Sequence, residues 1–113
     1  WTLNDKWLTS ANYCAWNWYN PTGNWFNPSN SKQGVTCNAD DKLTGLNLYN
    51  KLVVGTLPKE LGGLTNLEYL SLEYNTLTGL IPSEIGRLTD LEFLSFSRNR
   101  FTGLIPSEIG LLT

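Results

Sequence analysis

The sequence predicts an α/β solenoid, in which a short strand and a helical turn recur in every repeat. Residues 67–88 and 91–112 share their Leu, Asn and Pro positions at a fixed offset, so that Leu67 recurs as Leu91 and Asn75 as Asn99. A looser copy spans residues 43–64, whereas residues 1–42 differ in kind and hold all five Trp. A fixed period of this length indicates units that bury their apolar faces only against their neighbours.

Length and charge restrict the class of protein. The 113 residues suffice for one domain, and the net charge of −2 offers no basic field for nucleic acid or an anionic membrane. No apolar run approaches the roughly 20 residues of a membrane span, so we expect no direct membrane insertion. The chain contains no Met, so we expect that a leader was removed and that the chain is an excerpt of a longer one.

Cys14 and Cys37 are the only cysteines, and they flank a Trp-rich, loop-like stretch. A disulfide is the more natural interpretation than half of a metal site, because zinc would need further Cys or His ligands and the chain has no His. We therefore expect no metal or cofactor. The expected compartment is oxidising, which means secreted, cell-surface or lumenal.

Residues 1–42 are predicted to form an N-terminal capping region with an insertion from Asn17 to Ser31 that is rich in Asn, Pro and aromatic residues. Its aromatic side chains have two interpretations. They could form a stacking surface for a sugar or a partner, or they could cover the exposed first rung of the solenoid. Trp25 and Phe26 lie furthest from both cysteines in the sequence and are the candidate accessory aromatic surface.

Residues 43–113 are predicted to form about three repeats of 24 residues. Each repeat opens with Leu-x-x-Leu-x-Leu, whose alternation predicts a short strand with one buried face. Asn75 and Asn99 follow, and we expect their amides to form a ladder that bonds the backbone of adjacent turns. A Gly then permits an unusual backbone conformation, and the next Pro ends local pairing. Ser83–Gly86 and its copy, residues 107–110, predict a helical turn that Ser caps and Gly stops.

The pattern LxxLxLxxNxLTGxIPxxIGxLT across residues 43–113 resembles the plant-type leucine-rich repeat of receptor ectodomains and secreted proteins in plants and algae. Upstream, Trp1, Cys14-Ala15-Trp16 and Gly34-Val35-Thr36-Cys37 are similar to that family's N-terminal cap, in which the two Cys are bonded. The resemblance implies a curved solenoid with short parallel strands on the concave face, helical or 3-10 turns on the convex side, and a disulfide cap. It also implies an array truncated at its C-terminal end, because no C-terminal cap follows.

The candidate binding surface is the concave face, where the non-Leu strand positions are expected to point outward and to stack about 4.8 Å apart. The expected columns are Thr44/Glu68/Glu92, Gly45/Tyr69/Phe93, Asn47/Ser71/Ser95, Tyr49/Glu73/Ser97 and Asn50/Tyr74/Arg98. This face varies between copies, as a binding surface allows. The candidate partner-binding residues are Tyr49, Tyr69, Glu73, Tyr74, Phe93 and Arg98. The alternative is that they are ordinary solvent-facing strand residues, since Tyr and Phe favour strands.

Catalysis is not predicted. Stacked carboxylates, Glu68/Glu92 and Glu60/Glu84/Glu108, would lie near the roughly 5 Å separation of retaining glycosidases. Acid–base catalysis, however, needs two carboxylates whose surroundings separate their pKa values, and repeat-related residues have near-identical surroundings. There is no His to serve as a base. We therefore predict that the chain is not an enzyme.

The leading functional hypothesis is a recognition module that binds a protein, peptide or glycan across the concave sheet. The alternative is a structural or assembly subunit, whose open repeat edge at the C-terminal end is covered by further repeats or another subunit. A weaker alternative is binding to a solid such as ice through stacked Thr78/Thr102 and Ser71/Ser95 columns, although two rungs make a poor lattice match.

Overall fold

A computed structural model describes residues 2–3, 34–40 and 42–111. Eight strands and three 3-10 helices lie within these residues. The strands are β1 (Thr2–Leu3), β2 (Gly34–Cys37), β3 (Leu43–Asn47), β4 (Val54–Thr56), β5 (Tyr69–Ser71), β6 (Thr76–Gly79), β7 (Phe93–Ser95) and β8 (Arg100–Phe101). The 3-10 helices are η1 (Lys59–Gly63), η2 (Ser83–Arg87) and η3 (Ser107–Leu111).

The strand that opens each repeat belongs to one four-stranded sheet, ordered β2-β3-β5-β7. We call it the concave sheet. Strands β3, β5 and β7 are parallel and pair equivalent residues of successive repeats, so Gly45, Tyr69 and Phe93 lie side by side. The predicted solenoid with parallel strands is confirmed. The sequence analysis did not predict that β2 precedes this ladder as an antiparallel strand, with Thr36 paired to Gly45.

A second sheet, ordered β1-β4-β6-β8 and entirely parallel, was also not predicted. Its strands β4, β6 and β8 follow the bend of each repeat, and the register among them differs from that of the concave sheet. Thr56 pairs with Thr78, and Thr78 pairs with Arg100. Paired residues in this sheet are therefore separated by two fewer positions in the sequence than paired residues in the concave sheet. Residues that are equivalent in successive repeats are therefore displaced by two positions along neighbouring strands.

The core lies between the two sheets and the 3-10 helices. Its members are apolar side chains from every element of a repeat: Leu46 and Leu70 come from the concave strands, Leu77 from the second sheet, and Ile85 from η2. Each of these four side chains is at most 1 % exposed. Burying a side chain of this size stabilises a fold by about 1.5–3 kcal/mol, so the repeated leucines supply most of the driving force.

The 3-10 helices begin and end differently from the prediction. Pro82, not Ser83, is the N-cap residue of η2, and no side chain caps the helix. Gly86 lies inside η2, and the helix closes at Leu88, whose N–H donates to the carbonyl of Ile85 at 3.2 Å. The predicted Ser cap and Gly stop are therefore wrong. Pro suits this position because its ring already fixes the φ angle at which the chain enters the helix.

The helix glycine serves packing instead. A Cβ added at Gly86 would lie 2.7 Å from the Cβ of Glu108 in the next repeat, and one added at Gly62 would lie 2.5 Å from the carbonyl oxygen of Glu84. Real Cβ atoms do not approach neighbours so closely, so only glycine lets successive 3-10 helices stack at this spacing. Within the described residues, no helix is long and apolar enough to span a membrane.

A candidate ligand-binding face on the concave sheet

Asn75 fixes the backbone at the bend below the concave sheet. Its Oδ1 accepts hydrogen bonds from the N–H groups of Lys51 (3.1 Å) and Val53 (3.0 Å) in the preceding repeat. Its Nδ2 donates to the carbonyls of Leu48 (2.8 Å) and Leu72 (2.9 Å). Because the amide is 7 % exposed, it satisfies backbone groups that water cannot reach. One side chain thus joins two repeats.

Asn99 repeats this arrangement one rung further along. Its Nδ2 donates to the carbonyls of Leu72 (2.7 Å) and Phe96 (3.0 Å), and its Oδ1 accepts from the N–H of Leu77 (3.0 Å). Asn99 is half-buried, whereas Asn75 is buried. The two amides hold the ends of the concave strands at a fixed geometry, which gives the face a rigid support.

The residue before each ladder position has an unusual backbone conformation. Asn50, Tyr74 and Arg98 have φ angles of 50°, 56° and 56°. Asn adopts this left-handed region readily, but for Tyr and Arg it costs on the order of 1 kcal/mol. The guanidinium carbon of Arg98 lies 5.7 Å from the centre of the Tyr74 ring, a cation–π contact, and both side chains are exposed.

One aromatic pair lies at the start of the concave strands, and a second pair lies just after the ends of these strands. Tyr69 and Phe93 stack with ring centres 4.4 Å apart and planes 8° from parallel. The Tyr49 and Tyr74 rings lie 5.2 Å apart with a 58° tilt. All four side chains remain 38–47 % exposed. Such pairs contribute about 0.5–1.5 kcal/mol beyond their buried area, so they stiffen the surface without being covered.

Glu73 follows Tyr69 in the same repeat and directly precedes Tyr74 in the chain. Its Oε1 accepts hydrogen bonds from the hydroxyls of Ser95 and Ser97, the latter at 3.0 Å. Both serines belong to the next repeat, and their hydroxyls are 3.3 Å apart. The half-buried carboxylate is therefore held across the boundary between two repeats.

The structure brings the candidate partner-binding residues together in this region, with two differences from the predicted columns. The Tyr49 ring contacts Tyr74, which was placed in a different column. Gly45 and Ser71 are buried rather than presented to solvent, and Ser71 is only 3 % exposed. A side chain at Gly45 would fit tightly, because an added Cβ would lie 3.1 Å from the Cβ of Thr36 on β2.

Sequence reasoning did not identify Ser95 and Ser97 as partners of Glu73. The repeat register was the available signal, since it places Ser97 in the column of Glu73 and Ser95 shortly before it on the same side of the strand. The sequence contained a weaker indication of the contact between Tyr49 and Tyr74. Asn50, which tolerates left-handed φ, occupies the position of Tyr74 in the first copy.

The accessory aromatic surface of Trp25 and Phe26 lies outside the described residues, as does the rest of the insertion from Asn17 to Ser31. Cys37 is disulfide-bonded. Its pairing with Cys14 stays a prediction, because Cys14 also lies outside the described residues. In the described part of the chain, no group of three or more His, Cys, Asp or Glu side chains is arranged to hold a metal ion.

The remaining predicted columns differ in their outcome. Thr78 pairs with Arg100 and not with Thr102, so the predicted Thr78/Thr102 column does not form. Ser71 and Ser95 do pair, but Ser71 is buried.

On the convex side, Glu84 and Glu108 border an open groove of about 230 Å³ that also contains Arg87.

The repeated motif and the fold agree with a comparison against protein families. The leucine-rich repeat model matches residues 41–101, which is more than half of the chain. The chain belongs to the leucine-rich repeat family. No curated protein matches it.

The chain is similar to solved structures of plant proteins. The structure of PEPR1–AtPEP1 is 36 % identical with a TM-score of 0.69, over 79 % of this chain and 12 % of that one. The Arabidopsis receptor kinase HAESA, solved with the peptide hormone IDA and the co-receptor SERK1, is 36 % identical with a TM-score of 0.60, over 66 % and 13 %. A plant ice-binding protein is 36 % identical with a TM-score of 0.52, over 54 % and 20 %. The chain thus spans about an eighth of the first two proteins.

Proposed function

We propose that the chain is a recognition module of an extracellular or lumenal compartment that binds a peptide, or an extended segment of a protein, along the concave sheet. The observation that carries the proposal is the pair of ordered but exposed aromatic contacts, Tyr69 with Phe93 and Tyr49 with Tyr74, on one rigid face. A peptide, rather than a glycan, is the ligand class that the neighbouring charged groups favour.

The aromatic rings of this face retain exposed apolar area that a partner could bury. The rings of Tyr69 and Phe93 are 38 % and 42 % exposed although they are held in one orientation. A partner that covers them gains apolar burial and loses little side-chain entropy, because the rings are already ordered. Tyr, Phe and Arg are also enriched in the buried centres of protein interfaces. The face therefore has both the composition and the rigidity of a binding surface.

The comparisons support the same class of function. One similar structure is a receptor kinase in complex with a peptide hormone. The chain covers only 13 % of that receptor kinase. The proposal therefore extends to the general mode of recognition and not to the identity of the ligand.

The other two candidate functions have less support. Assembly through the repeat edge has one favourable observation: Ile105 is 73 % exposed, whereas the equivalent Ile81 of the preceding repeat is half-buried. Ice binding is not proposed, because Thr78 pairs with Arg100 instead of Thr102, and Ser71 of the second column is buried.

The test uses a displayed library of random peptides selected against the immobilised protein. We expect the wild-type chain to select peptides, and Tyr69→Ala with Phe93→Ala to weaken their binding by about tenfold or more. The physical reason is that truncating an aromatic residue at the centre of an interface typically costs about 2 kcal/mol or more. Circular dichroism checks that the double variant is folded.

The matched control is Leu80→Ala, which removes an exposed apolar side chain outside the concave sheet and should leave affinity unchanged. Equal affinity of the double variant and the wild type would place the binding site elsewhere. If the wild-type chain selects no peptide but binds an oligosaccharide array, the peptide proposal is wrong.

A further inference from the structure

We infer that Glu73 selects a basic side chain, Lys or Arg, in the bound peptide. The inference rests on the proposed function, because it names the chemistry that the concave face would recognise. Three features of the structure carry it: the orientation of the carboxylate, the charge around it, and the exposed Tyr74 ring next to it in the chain.

The carboxylate is oriented before any ligand binds. Ser95 and Ser97 both donate to its Oε1, while its Oε2 accepts no hydrogen bond from a described residue. An ammonium or guanidinium group from outside could therefore bind Oε2 without displacing an existing partner. Because two hydroxyls already restrict the side chain, a ligand would avoid most of the usual entropic cost of ordering a Glu.

The charge of the face favours a cation. No ion pair to Glu73 is present among the described residues, and Glu68 and Glu92 lie directly before β5 and β7 of the same sheet. Arg98 lies over the Tyr74 ring, where its charge is held by a cation–π contact rather than by a carboxylate. Carboxylates thus outnumber cations along these strands. An acidic segment would be repelled here, and a basic one attracted.

The aromatic pairs suit the rest of such a side chain. Lys and Arg carry long apolar stems that pack along ring surfaces while the charged head reaches a polar group. Tyr74 directly follows Glu73 in the chain and is 47 % exposed, and Tyr69 precedes it in the same repeat. The stem is expected to pack on Tyr74, which is adjacent to Glu73 in the chain, while its head meets Oε2. A neutral sugar could also use the rings and donate a hydroxyl to Oε2, but only a basic side chain would supply a countercharge as well.

The experiment compares libraries selected on the wild-type chain and on Glu73→Gln. Gln retains an oxygen that can accept from both serine hydroxyls, so the substitution removes the charge and keeps the local geometry. We expect wild-type selections to fix Lys or Arg at one peptide position, and Glu73→Gln selections to lose that preference. Replacing the basic residue of a selected peptide by norleucine should weaken wild-type binding about tenfold and Glu73→Gln binding little.

Glu60→Gln is the control, because it removes one carboxylate from η1, outside the concave sheet. It should retain the basic preference. Peptides selected without a basic residue would overturn the inference and leave the proposed function standing, and so would a basic preference that survives in Glu73→Gln. A wild-type chain that selects no peptides at all would overturn the proposed function itself.

Discussion

At the scale of single residues, Asn75 links neighbouring repeats by hydrogen bonds to their backbone. It joins the backbone of two repeats through an amide with both donors and an acceptor. Among neutral side chains, only Asn and the longer Gln offer two N–H donors and a separate carbonyl acceptor. Aspartate would accept but not donate, and it would bring a charge into a site that is 7 % exposed.

Replacing Asn75 by Ala should lower the free energy of unfolding by about 2–4 kcal/mol, because several buried backbone groups lose their partners at once. Asn99→Ala should cost less, about 1–2 kcal/mol, since Asn99 is half-buried and water can reach part of its surroundings. Urea denaturation measures both values. Asn66→Ala, in an exposed turn, is the control, and equal losses at Asn75 and Asn66 would contradict this account.

The positions of Asn75 and Asn99 could be predicted from the sequence because they recur at the repeat period. The register also places Ser95 and Ser97 near Glu73, but whether hydrogen bonds form there depends on side-chain rotamers across a repeat boundary, which the sequence does not specify. The same is true of the contact between Tyr49 and Tyr74, which follows from a left-handed φ at Tyr74.

At the scale of the elements, the stacking of the 3-10 helices explains why each repeat keeps a glycine within η1 and η2. Gly62 contacts the backbone of Glu84, and Gly86 contacts Glu108. The sequence suggested a helix stop because glycine commonly follows helix ends. A short 3-10 helix makes that inference fail, since a single turn has no interior in which glycine would be costly.

Gly62→Ala and Gly86→Ala should each destabilise the chain by about 1–3 kcal/mol, because neighbouring backbone would have to move. Gly63→Ala is a matched control in the same helix as Gly62, as an added Cβ there meets nothing within 4 Å. It should change stability by less than about 0.5 kcal/mol. Thermal unfolding of the three variants separates them, and equal effects at Gly62 and Gly63 would show that close packing is not the reason for the glycine.

At the scale of the whole molecule, a solenoid distributes its stability among nearest neighbours. Leu70 and Leu94 occupy the same position in successive repeats and pair with each other, yet Leu70 is 0 % exposed and Leu94 is only half-buried. The difference arises because β5 is flanked by strands on both sides, whereas β7 is at the edge of the described sheet.

Leu70→Ala should therefore cost about 2–5 kcal/mol, the range for a buried leucine, and Leu94→Ala about half as much or less. Denaturant titration gives the two values, and amide hydrogen exchange should show slower exchange in β5 than in β7. The same cost at both positions would mean that the array unfolds as one unit whose edge is no weaker than its centre.

The repeat period made the solenoid and its concave strands predictable from sequence, since each leucine of the motif marks a buried position. The second sheet was not predictable in the same way. Its strands β4, β6 and β8 are short and carry Thr, Gly and Arg at positions that a search for alternating leucines does not detect.

The different registers of the two sheets have a consequence for how this protein could evolve. If a repeat is duplicated, each concave side chain is copied directly beside its original, because equivalent residues of successive repeats are partners there. On the second sheet the partners are not equivalent residues, so the copy is shifted along the strand by two positions, or about 7 Å. Gene duplication can therefore lengthen a ligand site on the concave face without redesign. On the other sheet the same duplication would place equivalent side chains along a diagonal, so a ligand would have to run obliquely across the strands.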